Sequence, residues 1–110
     1  MDRVLLFSSV TPGIKITIEV YFDENGKLVV DGYDIGKTVE EYWGDSDYEY
    51  SVSLAPPEIH KLYQLFDVPV GEKIELLRTI QVRYHTNHCY SEFRDFLSRN
   101  QIHFESFSWN

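Results

Sequence analysis

The chain has 110 residues, 43% of them hydrophobic and 15% aromatic, and its formal net charge is −8 at pH 7. This length fits a single domain, residues 1–110, and the hydrophobic content is too high for a disordered protein. The acidity argues against nucleic-acid binding, which needs a basic face, and equally against binding to anionic membranes. One interpretation of the acidity is solubility alone; the more specific one is a basic protein partner.

The N-terminal segment and the single cysteine bear on location. Cys89 alone cannot form an internal disulfide framework. The segment "MDRVLLFSSV" has no extended basic region and no clear small-residue cleavage site, so no secretion signal is expected. No apolar run approaches the length of a transmembrane helix. The sequence therefore predicts a cytoplasmic protein.

Three strands are predicted near the N-terminus. The first covers Val4–Val10, and strict alternation of apolar and polar residues predicts a half-buried strand over Ile14–Phe22. The Asn25-Gly26 pair favours a type I′ hairpin turn, and residues 27–33, "KLVVDGY", form the return strand. Together the three strands form an antiparallel meander.

The next segment combines a helical turn with a fourth strand. Thr38 is a candidate cap for the turn "VEEYW", with Glu41 three residues later as in a capping box, and Gly44 ends the turn. Alternation returns in "YEYSVSL", residues 48–54, which predicts a strand with Ser and Glu on its outer side.

Beyond Pro57 the hydrophobic period becomes helical, and three helices are predicted. Their apolar stripes are Ile59, Leu62, Tyr63 and Phe66; then Ile74, Leu77 and Tyr84, flanked by Leu76 and Ile80; then Cys89, Phe93, Phe96 and Leu97. The segment "IHFESFSW" predicts a last strand. The expected fold is α+β: an antiparallel sheet of four to five strands, an N-terminal meander plus the C-terminal strand, with about three helices packed on one face.

The negative charge is concentrated between Asp31 and Glu49. Seven acids and one base, Lys37, give −6 within these 19 residues, which leaves −2 for the other 91. Three interpretations are open: a solvated loop, a calcium loop, or a surface that recognises a basic protein. The alternation of Asp45, Asp47 and Glu49 suits a hard cation but does not match the EF-hand spacing.

The recognition hypothesis depends on the aromatic residues between the acids, because Tyr and Trp are enriched in interfaces and their hot spots. Carboxylates around such residues would steer a cationic partner. Some of the aromatics, Trp43 among them, are expected in the core. The predicted partner-binding residues are Asp31, Tyr33, Asp34, Glu40, Glu41, Tyr42, Asp45, Asp47 and Glu49.

Candidate chemistry elsewhere is confined to "HTNHC", with His85, His88 and Cys89. These residues suggest either zinc ligands or a Cys–His nucleophile, but a closed zinc site needs four ligands, and no second ligand pair is evident. The alternative is a turn that begins a helix with a buried cysteine. No phosphate-binding or dinucleotide-binding glycine motif occurs. We therefore predict no catalytic residues, no metal, no cofactor and no enzymatic activity.

Four motifs stand out within residues 28–109: "DGYDIG", "EYWGD", "YEY" and the C-terminal "FRDFLSRNQIHFESFSW". With these motifs, the segment resembles small acidic bacterial immunity proteins that accompany polymorphic toxins and contact-dependent growth inhibition systems. The resemblance implies a stoichiometric inhibitor that binds and neutralises one cognate basic toxin domain, often a nuclease, by covering its active site. The alternative function is a small metal-binding protein or enzyme using His85, His88 and Cys89, or a structural domain with another partner.

Overall fold

The computed structural model describes residues 3–43 and 47–109, apart from the side chains of residues 38, 42 and 43. Its five strands form one sheet in the order β1-β2-β3-β4-β5, and every neighbouring pair is antiparallel. The strands are β1 Arg3–Thr11, β2 Ile14–Phe22, β3 Leu28–Ile35, β4 Asp47–Leu54 and β5 Glu105–Trp109. The C-terminal strand thus joins the sheet beside β4, and the meander continues across the whole sheet.

The described residues also form four helices, which lie between strands along the chain. They are α1 Lys37–Trp43, between β3 and β4, and then α2 Pro56–Leu65, α3 Lys73–Arg83 and α4 Cys89–Arg99, all between β4 and β5. The predicted α+β class, the antiparallel sheet and the three longer helices are confirmed. The helical turn after β3 begins at Lys37, one residue earlier than the predicted cap position. Within the described residues, none of the helices has the length and apolar character needed to cross a membrane.

The hydrophobic core lies on one face of the sheet. Alternate residues of β2, β3 and β4, such as Ile18, Val30 and Val52, are almost completely buried. They form one cluster with side chains of the three longer helices, including Leu62, Leu76, Leu77, Ile80, Phe93 and Leu97. Burial of each such side chain contributes about 1.5–3 kcal/mol. We call this side of the sheet the covered face, and the opposite side the open face.

The hairpin between β2 and β3 differs from the predicted type I′ turn. The loop spans residues 23–27, and Gly26 donates its N–H to the Asp23 carbonyl at 3.1 Å with a φ of 78°, whereas Asn25 has no positive φ. This is a type I turn followed by a left-handed glycine. The Asp23 carboxylate selects it by accepting the N–H groups of Asn25 and Lys27 at 2.8 and 2.9 Å.

The predicted stripe of α3 is also wrong at one position. Ile74 was expected to face the core, but it lies in the first turn of the helix and is 44% exposed. The buried residues are Leu76, Leu77 and Ile80. A buried stripe at i, i+1 and i+4 is as compatible with a helix as the predicted stripe. The way in which α3 packs in the fold decides which of the two stripes is buried.

Candidate protein-binding face

The open face of the sheet is built by the residues that alternate with the core. In β2 these are Lys15, Thr17, Glu19 and Tyr21. Antiparallel register carries the pattern across the sheet, because Asp31 lies opposite Glu19 and Tyr33 lies opposite Thr17. In β4 and β5 the corresponding residues are Asp47, Glu49, Ser51, Ser53, Glu105, Phe107 and Trp109. One continuous surface therefore crosses β2 to β5.

This surface is acidic. Among the described residues it carries five carboxylates, Glu19, Asp31, Asp47, Glu49 and Glu105, whereas the basic residues on β1 and β2 of the same face are Arg3 and Lys15. Two of the carboxylates, Glu19 and Glu105, lie outside the segment in which the sequence concentrates its charge. The sheet thus places Glu19 and Glu105 on the same face as three acids of that segment, which are Asp31, Asp47 and Glu49.

Aromatic residues are exposed among these acids. Tyr33 is 36% exposed, Phe107 59% and Trp109 62%. Glu49 lies directly between two of them, because it is the cross-strand partner of Tyr33 on β3 and of Trp109 on β5. Cβ atoms of such directly paired residues are about 4.5–5.5 Å apart. A carboxylate flanked by two large rings is thereby fixed by backbone register.

A groove of about 490 Å³ runs along the open face. Residues of four strands line it, including Glu19 and Tyr21 on β2, Asp31 and Tyr33 on β3, Glu49 on β4 and Phe107 on β5. The groove is open to solvent along its length rather than closed into a cavity.

At one end of the groove, the lining residues Glu19, Tyr21 and Asp31 contact a cation that belongs to the chain. The Arg3 guanidinium lies 3.9 Å from the centroid of the Tyr21 ring, and its Nη1 lies 3.4 Å from Glu19 Oε1 and 3.9 Å from Asp31 Oδ2. The Tyr21 hydroxyl donates to Asp31 Oδ2 at 2.9 Å. Partial burial, followed by this hydrogen bond to a carboxylate, raises the pKa of Tyr21. Tyr21 therefore acts as a neutral donor at physiological pH.

Asp34 lies on the covered face, away from the other predicted acids. Its Oδ1 accepts the Tyr50 hydroxyl at 2.8 Å, and the Tyr50 ring lies directly over Gly32, where a Cβ atom would collide with it. Desolvation raises the pKa of the Asp34 carboxyl, and the hydrogen bond from Tyr50 offsets only part of that rise. Burial likewise raises the pKa of Tyr50. Gly32, Asp34 and Tyr50 thus form a structural contact between β3 and β4.

The Tyr50 ring also forms part of a cleft of about 440 Å³ between the sheet and α4. Its centroid lies 5.3 Å from that of Tyr48 and 4.7 Å from that of Tyr90, which meets it edge to face. Arg94 lies near the rim, 6.0 Å from the Tyr90 centroid. The cleft has both a carboxylate, from Asp34, and a guanidinium, so its charge favours neither cations nor anions.

The predicted site residues therefore fall into separate groups. The structure places Asp31, Tyr33, Asp47 and Glu49 on the open face, and Asp34 on the covered face. Glu40 and Glu41 are exposed on α1, Tyr42 lies in that helix, and Asp45 lies outside the described residues. Sequence reasoning missed Glu19, Glu105, Phe107 and Trp109. The alternation of "IKITIEVYF" and "ESFSW" was the available signal, because it puts these residues on one side of their strands.

The cluster of His85, His88 and Cys89 does not assemble into a site. Cys89 is completely buried, and burial raises the pKa of its thiol to about 11, the opposite of what a nucleophile requires. His85 and His88 are exposed, and His85 Nδ1 lies 3.0 Å from the Val82 carbonyl oxygen. Within residues 3–43 and 47–109, no three His, Cys, Asp or Glu side chains come together as metal ligands.

Comparison with known proteins adds no relative from which a function could be transferred. The chain matches no family model, no curated protein and no solved structure. The resemblance to immunity proteins consequently remains a prediction from the sequence. The charge, exposure and register of the open face are the observations from which a function can be argued.

Proposed function

We propose that this protein is an immunity-type inhibitor that binds a cognate basic toxin domain, most simply a nuclease, through the open face of its sheet. The observation that carries the proposal is the composition of that face. Five carboxylates surround exposed Tyr33, Phe107 and Trp109 on one continuous surface. Neither catalysis nor a cofactor is part of the proposal, because neutralisation requires only that substrate be excluded from the toxin.

Charge and aromatic area contribute differently to such a complex. A concentrated negative potential attracts a basic domain over distance and raises the association rate, which makes that rate dependent on ionic strength. Large rings that become desolvated at the centre of an interface mainly lower the dissociation rate. The open face supplies both, and its carboxylates would meet the cations with which a nuclease binds phosphate.

The residues expected to contribute most lie around Glu49. Asp31 and Glu19 are partly neutralised by Arg3, which lies 3.9 and 3.4 Å from them, respectively. Glu49 has no ion pair among the described residues, and its neighbours across the strands are aromatic. Asp34 is excluded from the contact surface, because it points to the covered face.

A binding experiment with a charge-matched control tests the proposal. The probe is a basic toxin domain encoded next to this gene, made catalytically inactive for expression. Glu49→Lys should slow its association at low salt and weaken the complex by about tenfold or more, which is the loss of a central interface charge. Glu75→Lys makes the same change in net charge at an exposed position of α3 and should leave the affinity for the toxin domain nearly unchanged.

Two results would contradict the proposal. One is a toxin domain whose activity and ability to stop growth are unaffected by an equimolar amount of this protein. The other is an equal loss of affinity in the Glu49 and Glu75 variants, which would show that total charge acts without a defined surface. Growth rescue by co-expression and surface plasmon resonance from 50 to 500 mM salt supply the two measurements.

A further inference from the structure

The open face already shows how it holds an arginine. The Arg3 guanidinium stacks on the Tyr21 ring at 3.9 Å from the centroid and faces the carboxylates of Glu19 and Asp31. A planar guanidinium suits this setting, because it is weakly hydrated, stacks on aromatic faces and meets carboxylates with several N–H groups. One aromatic ring with adjacent carboxylates is thus a working arginine site within this chain.

The other half of the groove repeats this combination without a cation from the described chain. Glu49 replaces Glu19 as the carboxylate, and its direct cross-strand partners are Tyr33 and Trp109. Phe107 lies opposite Ser51, diagonally from Glu49 and on the same face, and more than half of its surface is exposed. Three aromatic side chains therefore surround one carboxylate that lacks an ion pair within residues 3–43 and 47–109.

We infer that Tyr33, Glu49, Phe107 and Trp109 form an arginine subsite, which receives the guanidinium of an arginine side chain from the protein partner. The Glu49 carboxylate accepts hydrogen bonds from the guanidinium N–H groups, and the ring of Trp109 or Phe107 stacks on the guanidinium plane. This inference rests on the proposed function, and it names the residue type that the partner must present. Lysine fits less well, because its compact, strongly hydrated ammonium does not stack.

The groove rather than the charge alone supports this assignment. The groove of about 490 Å³ extends from Tyr21 on β2 to Phe107 on β5, so it borders both the Arg3 site and the proposed subsite, although Trp109 lies outside its lining. The cleft on the covered face is a weaker candidate for a cation, because Arg94 already places a guanidinium at its rim.

Blocked tripeptides provide a direct test on the intact protein. Acetyl-Gly-Arg-Gly-amide and its lysine counterpart are titrated into isotope-labelled protein and followed by NMR. The arginine peptide should bind at millimolar concentration, shift the signals of residues 33, 49, 107 and 109, and bind about two- to fivefold more tightly than the lysine peptide, the range that one cation–π contact supplies.

Two variants and one control locate the effect. Glu49→Gln and Trp109→Leu should each lower the affinity for the arginine peptide about two- to fivefold. This is the range of one exposed ion pair or one stacked ring. Glu75→Gln should leave it unchanged. Equal affinity for both peptides, shifts confined to the neighbourhood of Arg3, or no binding at 50 mM peptide would each overturn the subsite.

The peptide test is independent of any toxin. If the arginine peptide does not bind while the toxin domain still binds in a Glu49-dependent manner, the subsite is wrong and the proposed function stands. If the peptide binds as expected and no toxin does, the subsite stands and the partner is another arginine-bearing protein.

Discussion

The two faces of the sheet come from the same alternating strands but have opposite properties. On the covered face, Ile18, Val20 and Val30 are at most 2% exposed and pack under three helices. On the open face, Phe107 and Trp109 are about 60% exposed and stand among carboxylates. The comparison shows that stability and recognition are assigned to different sides of the same backbone. Substitutions on the two sides should therefore have separable effects.

The sharpest form of this comparison is the same substitution on each side. Phe93 is completely buried on α4, where its ring meets that of Tyr84 edge to face, with centroids 5.4 Å apart. Phe93→Ala should lower the free energy of unfolding by about 3–5 kcal/mol, because it leaves a cavity in the core. Phe107→Ala should change it by less than about 1 kcal/mol. Urea unfolding of both variants measures the difference.

One control and one contradicting outcome accompany this measurement. The urea m-value should be the same in both variants, so that midpoints report stability rather than a change in the unfolded state. A Phe107→Ala variant as unstable as Phe93→Ala would mean that β5 is part of the core, and the division between the two faces would be wrong.

A smaller effect is expected where β3 and β4 meet on the covered face. Gly32→Ala should destabilise the protein by about 1–3 kcal/mol, because the added methyl group collides with the ring of Tyr50. Because of this collision, the stability costs of Gly32→Ala and Tyr50→Ala should not add in the double variant. In a Tyr50→Ala background the same Gly32→Ala substitution should cost less than about 1 kcal/mol, since the obstructing ring is gone. Thermal and urea unfolding of the four proteins in this cycle check the prediction; additive costs would contradict it.

The sequence predicts this fold well because each element has its own local signal. Strict alternation identified β2 and β4, and the change to helical spacing after Pro57 identified α2 to α4. The hairpin turn was mispredicted because the Asp23 carboxylate accepts two backbone N–H groups of the loop, and Gly26 alone within it takes the left-handed conformation. Ile74 was misplaced because the docking angle of α3 is a property of the packed fold and not of the helix alone.

The candidate site was less predictable, for a reason that one strand illustrates. Asp31, Tyr33 and Asp34 were grouped because they are close in sequence and the predicted strand ended at residue 33. The strand continues through Ile35, so alternation separates Asp34 from the other two. Conversely, Glu49 and Trp109 are 60 positions apart, and only the pairing of β4 with β5 makes them neighbours. The concentration of charge along the chain indicated the region of the predicted site, but the register of the strands determines which side chains share the open face.

Acid titration of Asp34, on the covered face, gives the smallest expected effect. Burial raises the pKa of this carboxyl, so the folded state binds its proton more readily than the unfolded state does. Its ionisation consequently costs stability at pH values above the raised pKa. The cost disappears as the pH falls from that value to below about 3.9, the ordinary pKa of an aspartate. Asp34→Asn removes the charge and retains an oxygen that can accept the Tyr50 hydroxyl.

Asp34→Asn should therefore exceed the wild type in stability at pH 7, by less than about 1 kcal/mol because the group is half exposed to solvent, and this advantage should vanish near pH 3. Tyr50→Phe is the opposing control. It removes the hydrogen bond that lowers the pKa of Asp34, so the loss of stability with rising pH should become larger. Urea midpoints between pH 3 and 7 measure both trends. An Asp34→Asn advantage that is constant with pH would contradict the raised pKa of the Asp34 carboxyl.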